Sequence, residues 1–451
     1  MLFRSLPRLL QNTEGNPSHR RKVLRKLGEL SQLPIEELKN TLHILPVPGG
    51  RQPTPTPRLH QHTDGELPRL PEKRLAHLLK CGCASKAATL LQSVLTEPGL
   101  VTLNEETRHQ VQTLFPPGSA EDNMLPADAA VPPEERITIP DDLLIYEIGS
   151  LPKQSAAGMS GWTYELIKLL AGDAEEDTGR QFTSELCAVF NAILLGHVGG
   201  LEGWHSDRLV PLRKRGGGIR PIVVGDIWLR LLGRAVTRLC SQQAAVLLAP
   251  LQWGVGIKGG SEVLVHTLHL VCDQMLGQSA EQSVVQTVDF TNAFNCINRL
   301  PIYLQLQQHF PGLLPLFRLC YGRPTPLFGN DGSVVATISR GVKQGDPLGP
   351  LYFALALQPI LQQVIEGADR QLYGLAYLDD VTLFGNPQTV ADRFLVLQTK
   401  AREIGLDVNM AKSVEWGPRL TQSHAGTTFT ADGFKTLGGH LGTLARSEEH
   451  T

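Results

Sequence analysis

From about residue 141 onward, apolar residues recur in two periods, and the switching between them is the main structural signal of the chain. Short runs rich in β-branched residues read as strands: Leu209–Leu212, Arg220–Val224, Ser283–Phe290 and Gly374–Phe384. Between them lie longer apolar segments of helical length, such as the one that opens on Leu351-Tyr-Phe-Ala-Leu-Ala-Leu-Gln358. Alternation of this kind predicts an α+β domain. Upstream the texture differs. Residues 15–40 read as a helix carrying His19-Arg20-Arg21-Lys22, and residues 44–72 hold seven prolines and read as a linker. A helical patch follows at 73–115, then a second Pro-rich, acidic stretch from Phe115 to Asp142. The expected organisation is a basic helical segment at 1–43, a linker at 44–72, a helical amino-terminal extension with an acidic linker at 73–140, and the α+β domain at 141–443. Residues 444–451 end in Arg-Ser-Glu-Glu-His-Thr and read as a non-native tail.

Composition narrows the class. With 41% hydrophobic and 19% charged residues among 451, the chain suits a folded globular protein. No apolar run reaches membrane-spanning length, so no membrane partner is expected. The start, Met1-Leu-Phe-Arg-Ser, lacks the apolar core and cleavage site of a signal peptide. Seven scattered cysteines argue for a reducing compartment rather than a disulfide scaffold, and Cys81 and Cys83 lack the second pair a zinc site needs. The net charge of −2 is unusual for a nucleic-acid binder, but residues 1–80 carry 14 Lys+Arg against 7 Asp+Glu. The basic helix reads as a solvated face; a nuclear address or a nucleic-acid arm is the sharper alternative.

Four local patterns carry chemistry. In Ala376-Tyr377-Leu378-Asp379-Asp380, flanked by apolar runs, two adjacent carboxylates fall at the turn of a predicted hairpin. They repel each other there, and a divalent cation is the natural compensation; an ordinary Asp-rich turn is the bland reading. In Ser283-Val-Val-Gln-Thr-Val-Asp289-Phe290, a strand ends in a third carboxylate, though such an Asp serves equally as a helix cap. Together the three could hold two Mg²⁺, or Mn²⁺, through oxygen ligands. Arg340-Gly-Val-Lys-Gln344-Gly345-Asp346-Pro347 reads as a loop that holds a nucleotide, or as a plain loop before a helix in whose first turn Pro347 fits; Pro359 should end or kink that helix. Arg213-Lys214-Arg215-Gly-Gly-Gly-Ile-Arg220 reads as a hairpin whose cations could grip a triphosphate, or as a solvated basic turn.

In their order these blocks resemble the reverse transcriptases of non-LTR retrotransposons, over about residues 140–443. Ser155–Trp162 looks like the early fingers motif, Gly216–Val224 the triphosphate-binding hairpin, and Gln252-Trp-Gly254-Val-Gly256 the helix-and-loop insert of non-LTR enzymes. Gly405-Leu406, Asn409, Lys412 and Ser413 look like the block after the catalytic pair, and Leu437, Gly438 and Gly442 like the primer grip. The resemblance implies a right-hand polymerase with fingers and palm, a helical amino-terminal extension, and a thumb that should follow residue 443 and is missing. It implies that Asp289, Asp379 and Asp380 are catalytic and, with Phe290, hold the metals. It implies that Lys214, Arg220, Phe294, Gln344, Gly345 and Lys412 contact the dNTP, with Phe294 as the steric gate against ribonucleotides. The expected cofactor is two Mg²⁺; the expected partners are an RNA template, a DNA primer or product, and dNTPs; the expected location is the nucleus. Asn295 departs from the Asp common at that family position. Two rivals stand: an RNA-dependent RNA polymerase, which usually carries Asp where this chain has Phe294, and an inactive nucleic-acid-binding relic.

Overall fold

The computed structural model describes residues 101–442 apart from 120–121, 123–124, 127–130, 153–154, 173–176, 198–203, 215–216, 278–282, 367–371 and 438. The basic helix, the Pro-rich linker, Cys81 with Cys83, most of the amino-terminal extension and the expected tail lie outside the described residues. These divide into two compact units, one holding Val210–Ile222 with residues up to Thr107, the other holding Arg108–Leu209 and Val223 onward. None of the described helices is long and apolar enough to cross a membrane.

In the larger unit, helices α1 (Asp141–Ser150), α2 (Tyr164–Ala171) and α3 (Asp177–Leu194) precede α4 (Ile227–Leu248) and α5 (Gly260–Gly277). Then come β3 (Val284–Val288), a single turn α6 (Ala293–Cys296), α7 (Arg299–His309), α8 (Leu314–Tyr321), β4 (Thr325–Phe328) and β5 (Val334–Ile338). Helix α9 (Gly349–Glu366) leads to the hairpin β6 (Leu372–Tyr377) and β7 (Asp380–Gly385), then α10 (Pro387–Glu403) and β8 (Val414–Trp416). The short strands β9 (Thr428–Thr430), β10 (Gly433–Thr436) and β11 (Gly439–Gly442) close the described chain. Strands β1 (Asp207–Arg213) and β2 (Ile219–Val224) are shared between the units. The expected α+β class holds.

Five strands form the sheet that matters, in the order β6-β7-β3-β8-β9. β3 is central and antiparallel to β7 and β8, in register Val288↔Val381 and Thr287↔Val414. Val284, Val285, Gln286 and Val288 are buried and Thr287 is half-buried, so the strand is covered on both faces and shows no apolar–polar alternation. Helix α5 covers part of the sheet through Leu264, Leu268 and Cys272, which join Val285, Trp416, Phe434 and Leu441 in one core cluster. Helix α10 packs against β3, β7 and α9. Its start is set by Asn386, whose side chain accepts from the N–H of Gln388 and Thr389, with Pro387 in the first turn. Asp226 caps α4 by accepting from Trp228 N–H.

Two details refine the sequence reading. Pro359, expected to end or kink helix α9, does not end it: the helix runs on to Glu366. Twelve buried residues pack this helix into the core, and that outweighs the loss of one N–H donor. Pro347 lies ahead of the helix, in a turn where the Asp346 carboxylate accepts from Leu348 N–H at 2.9 Å; Pro350 takes the first helical turn instead. All five described cysteines are free.

In the smaller unit, β1 and β2 turn at Lys214–Gly218, where Lys214 N–H donates to Gly218 O at 3.0 Å. Gly217 and Gly218 take φ of +89° and +80°, so glycine is demanded by the backbone there. Val101 N–H donates to Pro211 O, tying residue 101 to this hairpin.

Candidate active site

The carboxylates meet because of the sheet register. Tyr377 pairs with Asp380 across a two-residue turn, so Leu378 and Asp379 form the tip of the β6–β7 hairpin and Asp380 opens β7. One step beyond Val288↔Val381, the end of β3 brings Asp289 alongside Asp380. The Asp289 backbone is held from the other flank: its N–H donates to Ser413 Oγ at 3.1 Å and its carbonyl accepts from Asn409 N–H at 2.7 Å. Asp289 does not cap the helix that follows; Asn292 occupies that position, with φ +53°. The strand-turn-strand reading of residues 374–384 is therefore what the chain adopts.

Electrostatics unite the three. Burial raises Asp379, and the Asp289 charge adds to it. Asp380 keeps an exposed edge, yet withdrawal of water, then Asp379, then Asp289, push it up to about 6. Carboxylates raised by burial and by acidic neighbours are an incomplete charge arrangement. Their hard oxygen donors suit a divalent cation such as Mg²⁺ or Mn²⁺ and not zinc. Among the described residues, no three His, Cys, Asp or Glu side chains stand close enough to form a ready-made metal cage. Phe290 is buried at 5% exposure and bridged to Val408, so its backbone carbonyl is the only oxygen it can offer.

The Gln344-Gly345 loop approaches from α9. Gln344 O accepts from Val223 N–H at 3.1 Å, and Gly345 sits at φ +122° with room only for hydrogen: a Cβ would lie 2.5 Å from Val223 O. Beneath the loop, Lys343 and Asp207 form a buried ion pair at 2.8 Å. Burial alone would lower the Lys343 ammonium; Asp207, together with Cys320 and Asp346, outweighs it and holds it above its ordinary value. Asp346, raised by burial, accepts the Tyr321 hydroxyl. Phe294 is half-buried in α6 and stacks on Phe353 of α9, with ring centres 4.8 Å apart and planes within 7°. Its carbonyl accepts from Val342 N–H at 2.8 Å, which ties the backbone of α6 to the root of the loop. A cleft lined by Asp207, Val223, Lys343, Gly345 and Tyr352 opens behind this loop, and the three carboxylates do not line it.

Asp289, Asp379 and Asp380 are thus brought together, and Phe294 is joined to Gln344 and Gly345. Lys412 is exposed in the turn before Ser413, the residue that holds Asp289 N–H. Lys214 and Arg220 are exposed residues of the β1–β2 hairpin, in the smaller unit. Sequence reasoning missed Arg299. It is fully buried, and its guanidinium donates to the carbonyls of Gly341, Tyr321 and Ile338, fixing the root of the loop. A buried cation serving carbonyls leaves no pattern in a single sequence.

Carboxylates gathered at the end of a central antiparallel strand, with a glycine-bearing loop beside them, are the arrangement of a palm-type nucleotidyl-transfer site. The chain belongs to the family described as reverse transcriptase (RNA-dependent DNA polymerase), whose model matches residues 212–441. This family works with divalent metal ions. A curated relative is the retrotransposable element SLACS 132 kDa protein of Trypanosoma brucei gambiense, 27% identical over 277 residues. That match covers 59% of this chain and 22% of the relative, so the chain spans about a fifth of the length of the curated protein it matches. Among solved structures, telomerase from Candida albicans with a fragment of telomeric RNA is similar at a TM-score of 0.40 and 12% identity, over 53% of this chain and 44% of that one.

Proposed function

We propose that this chain is the RNA-directed DNA polymerase of a non-LTR retrotransposon, adding dNTPs to a primer 3′-hydroxyl. The observation that carries the proposal is the convergence of Asp289 with Asp379 and Asp380 at the end of β3. In this reading the three carboxylates, with the Phe290 carbonyl, hold two Mg²⁺, and Mn²⁺ can replace them. Bound there, divalent cations supply the Lewis acidity that activates the primer hydroxyl and neutralises the leaving pyrophosphate. The primer oxygen attacks the α-phosphorus, and the bond to the β-phosphate oxygen breaks. Gln344 and Gly345 position the incoming nucleotide, Lys214, Arg220 and Lys412 meet its triphosphate, and Phe294 packs beneath its sugar. A Phe ring offers bulk and no acceptor to a 2′-hydroxyl, which favours dNTPs. Residues 141–443 then correspond to fingers and palm, and a retrotransposon enzyme of this kind would act in the nucleus, which a tagged fusion would locate.

The test is primer extension on an RNA template with Mg²⁺, offering dNTPs and then rNTPs. DNA products are expected. Preferential use of rNTPs would instead indicate an RNA-dependent RNA polymerase, and binding without extension an inactive relic.

A further inference from the structure

The turn that carries the acidic pair contains a conformational anomaly. Leu378 sits at φ +57°, a left-handed backbone that branched side chains seldom adopt. Something must hold it, and the structure shows what does. Gln252 follows α4 and is 0% exposed. Its Oε1 accepts from Leu378 N–H at 2.6 Å and from Gly254 N–H at 3.2 Å, while its Nε2 donates to Leu378 O at 3.2 Å. One carboxamide therefore engages both the N–H and the C=O of Leu378. The backbone on either side adds to the clamp: Ala376 N–H donates to Leu251 O, and Trp253 N–H to Ala376 O, each at 2.7 Å. Gly254 completes it, because a Cβ there would lie 2.7 Å from Leu378 Cγ. Gln252 N–H donates in turn to Leu248 O, which anchors the clamp to the end of α4.

We propose that Gln252 is a positioning residue: its buried carboxamide locks Leu378 in the left-handed turn and so sets the aim of Asp379 and Asp380. The inference rests on the polymerase reading of the acidic site. A side chain that only filled space here would be cheaper as an apolar residue of similar volume, since a buried amide must have each polar atom matched. Gln is the side chain that presents a donor and an acceptor on one rigid plane at this reach. Removing it leaves the two-residue hairpin alone to hold Leu378 at positive φ, so the turn loosens and the carboxylates that follow lose their fixed aim.

Five proteins test this: the parent, Gln252→Leu, Gln252→Glu, Leu378→Gly and the double variant Gln252→Leu with Leu378→Gly. Each is assayed for primer extension at saturating dNTP and, without turnover, for Mn²⁺ affinity by electron paramagnetic resonance. Loss of a residue that orients metal ligands typically costs about 10- to 100-fold in affinity or rate. Gln252→Leu should therefore weaken Mn²⁺ binding at least about tenfold and slow extension comparably, with primer–template affinity unchanged. In the Leu378→Gly background the same change should cost clearly less, because glycine takes positive φ without strain. Gln252→Glu keeps the acceptor and loses the donor, so it should fall between; it also decides the matter if Gln252→Leu does not fold. Equal losses in both backgrounds, or parental Mn²⁺ affinity in Gln252→Leu and Gln252→Glu, would overturn the inference. An inactive parent would overturn the polymerase reading alone, and the Mn²⁺ coupling would still judge Gln252: present, it supports the clamp; absent, it refutes it.

Discussion

Replacing Lys343 with Met should destabilise the larger unit far more than a surface substitution would. Lys343 and Asp207 are paired at 2.8 Å with side chains only 8% and 2% exposed. Asp346 and Cys320 sit in the same buried neighbourhood, and both act on the Lys343 charge. Breaking a buried ion pair by removing one partner typically costs about 3–5 kcal/mol, because the remaining charge is left desolvated. For a unit of this size that is a fall in melting temperature of roughly 4–7 °C. Removing both charges, as Lys343→Met with Asp207→Leu, should recover most of the loss. Thermal melts of the three proteins at pH 7 read both effects. A single-variant cost below about 1 kcal/mol, or a double variant no better than the single, would refute the reasoning.

Three further outcomes follow from the site. Phe294→Ala should admit rNTPs while largely retaining dNTP use, relaxing a discrimination of about 30- to 1,000-fold; competition between the two nucleotide classes measures it, and an unchanged ratio removes the gate from Phe294. Asp380 is raised to about 6 by burial and its acidic neighbours, so its charged form opposes folding. Without metal, the parent should lose stability relative to Asp380→Asn as pH rises from about 4 to about 6, by a fraction of the full shift because the group is partly exposed. Denaturant midpoints of the two proteins across that window check the sign, and a parent that gains relative to the variant contradicts it. Added Mg²⁺ should cancel the difference at pH 7 in the parent and not in Asp380→Asn.

Much of the acidic site was legible because its signals are local. The paired Asp379 and Asp380 between apolar runs, and Asp289 at the end of a buried strand, are patterns of residue type and period. The hairpin at Lys214–Gly218 was legible for the same reason, since adjacent glycines demand a turn. What lay beyond the sequence is long-range. Gln252 meets Leu378 across more than a hundred residues, and Arg299 meets three carbonyls on two separate segments. Neither a buried polar side chain nor its partner has a period that marks it in advance. Pro347 misled for a related reason: the Asp346 turn holds it ahead of the helix, and helix α9 takes its extent, through Pro359, from the core around it.

The account stands on the three carboxylates acting as one metal-holding unit, and their replacement tests it most directly. Asp289→Asn and Asp379→Asn are each nearly isosteric and remove one negative charge from ligands several kilocalories of transition-state stabilisation depend on, about a thousandfold in rate. Primer–template affinity, set by phosphate contacts elsewhere, should stay within a few fold. Single-nucleotide extension with Mg²⁺, run beside a binding titration on the same proteins, is the measurement. Extension abolished with binding intact is the result expected; near-parental turnover in either variant would contradict the assignment.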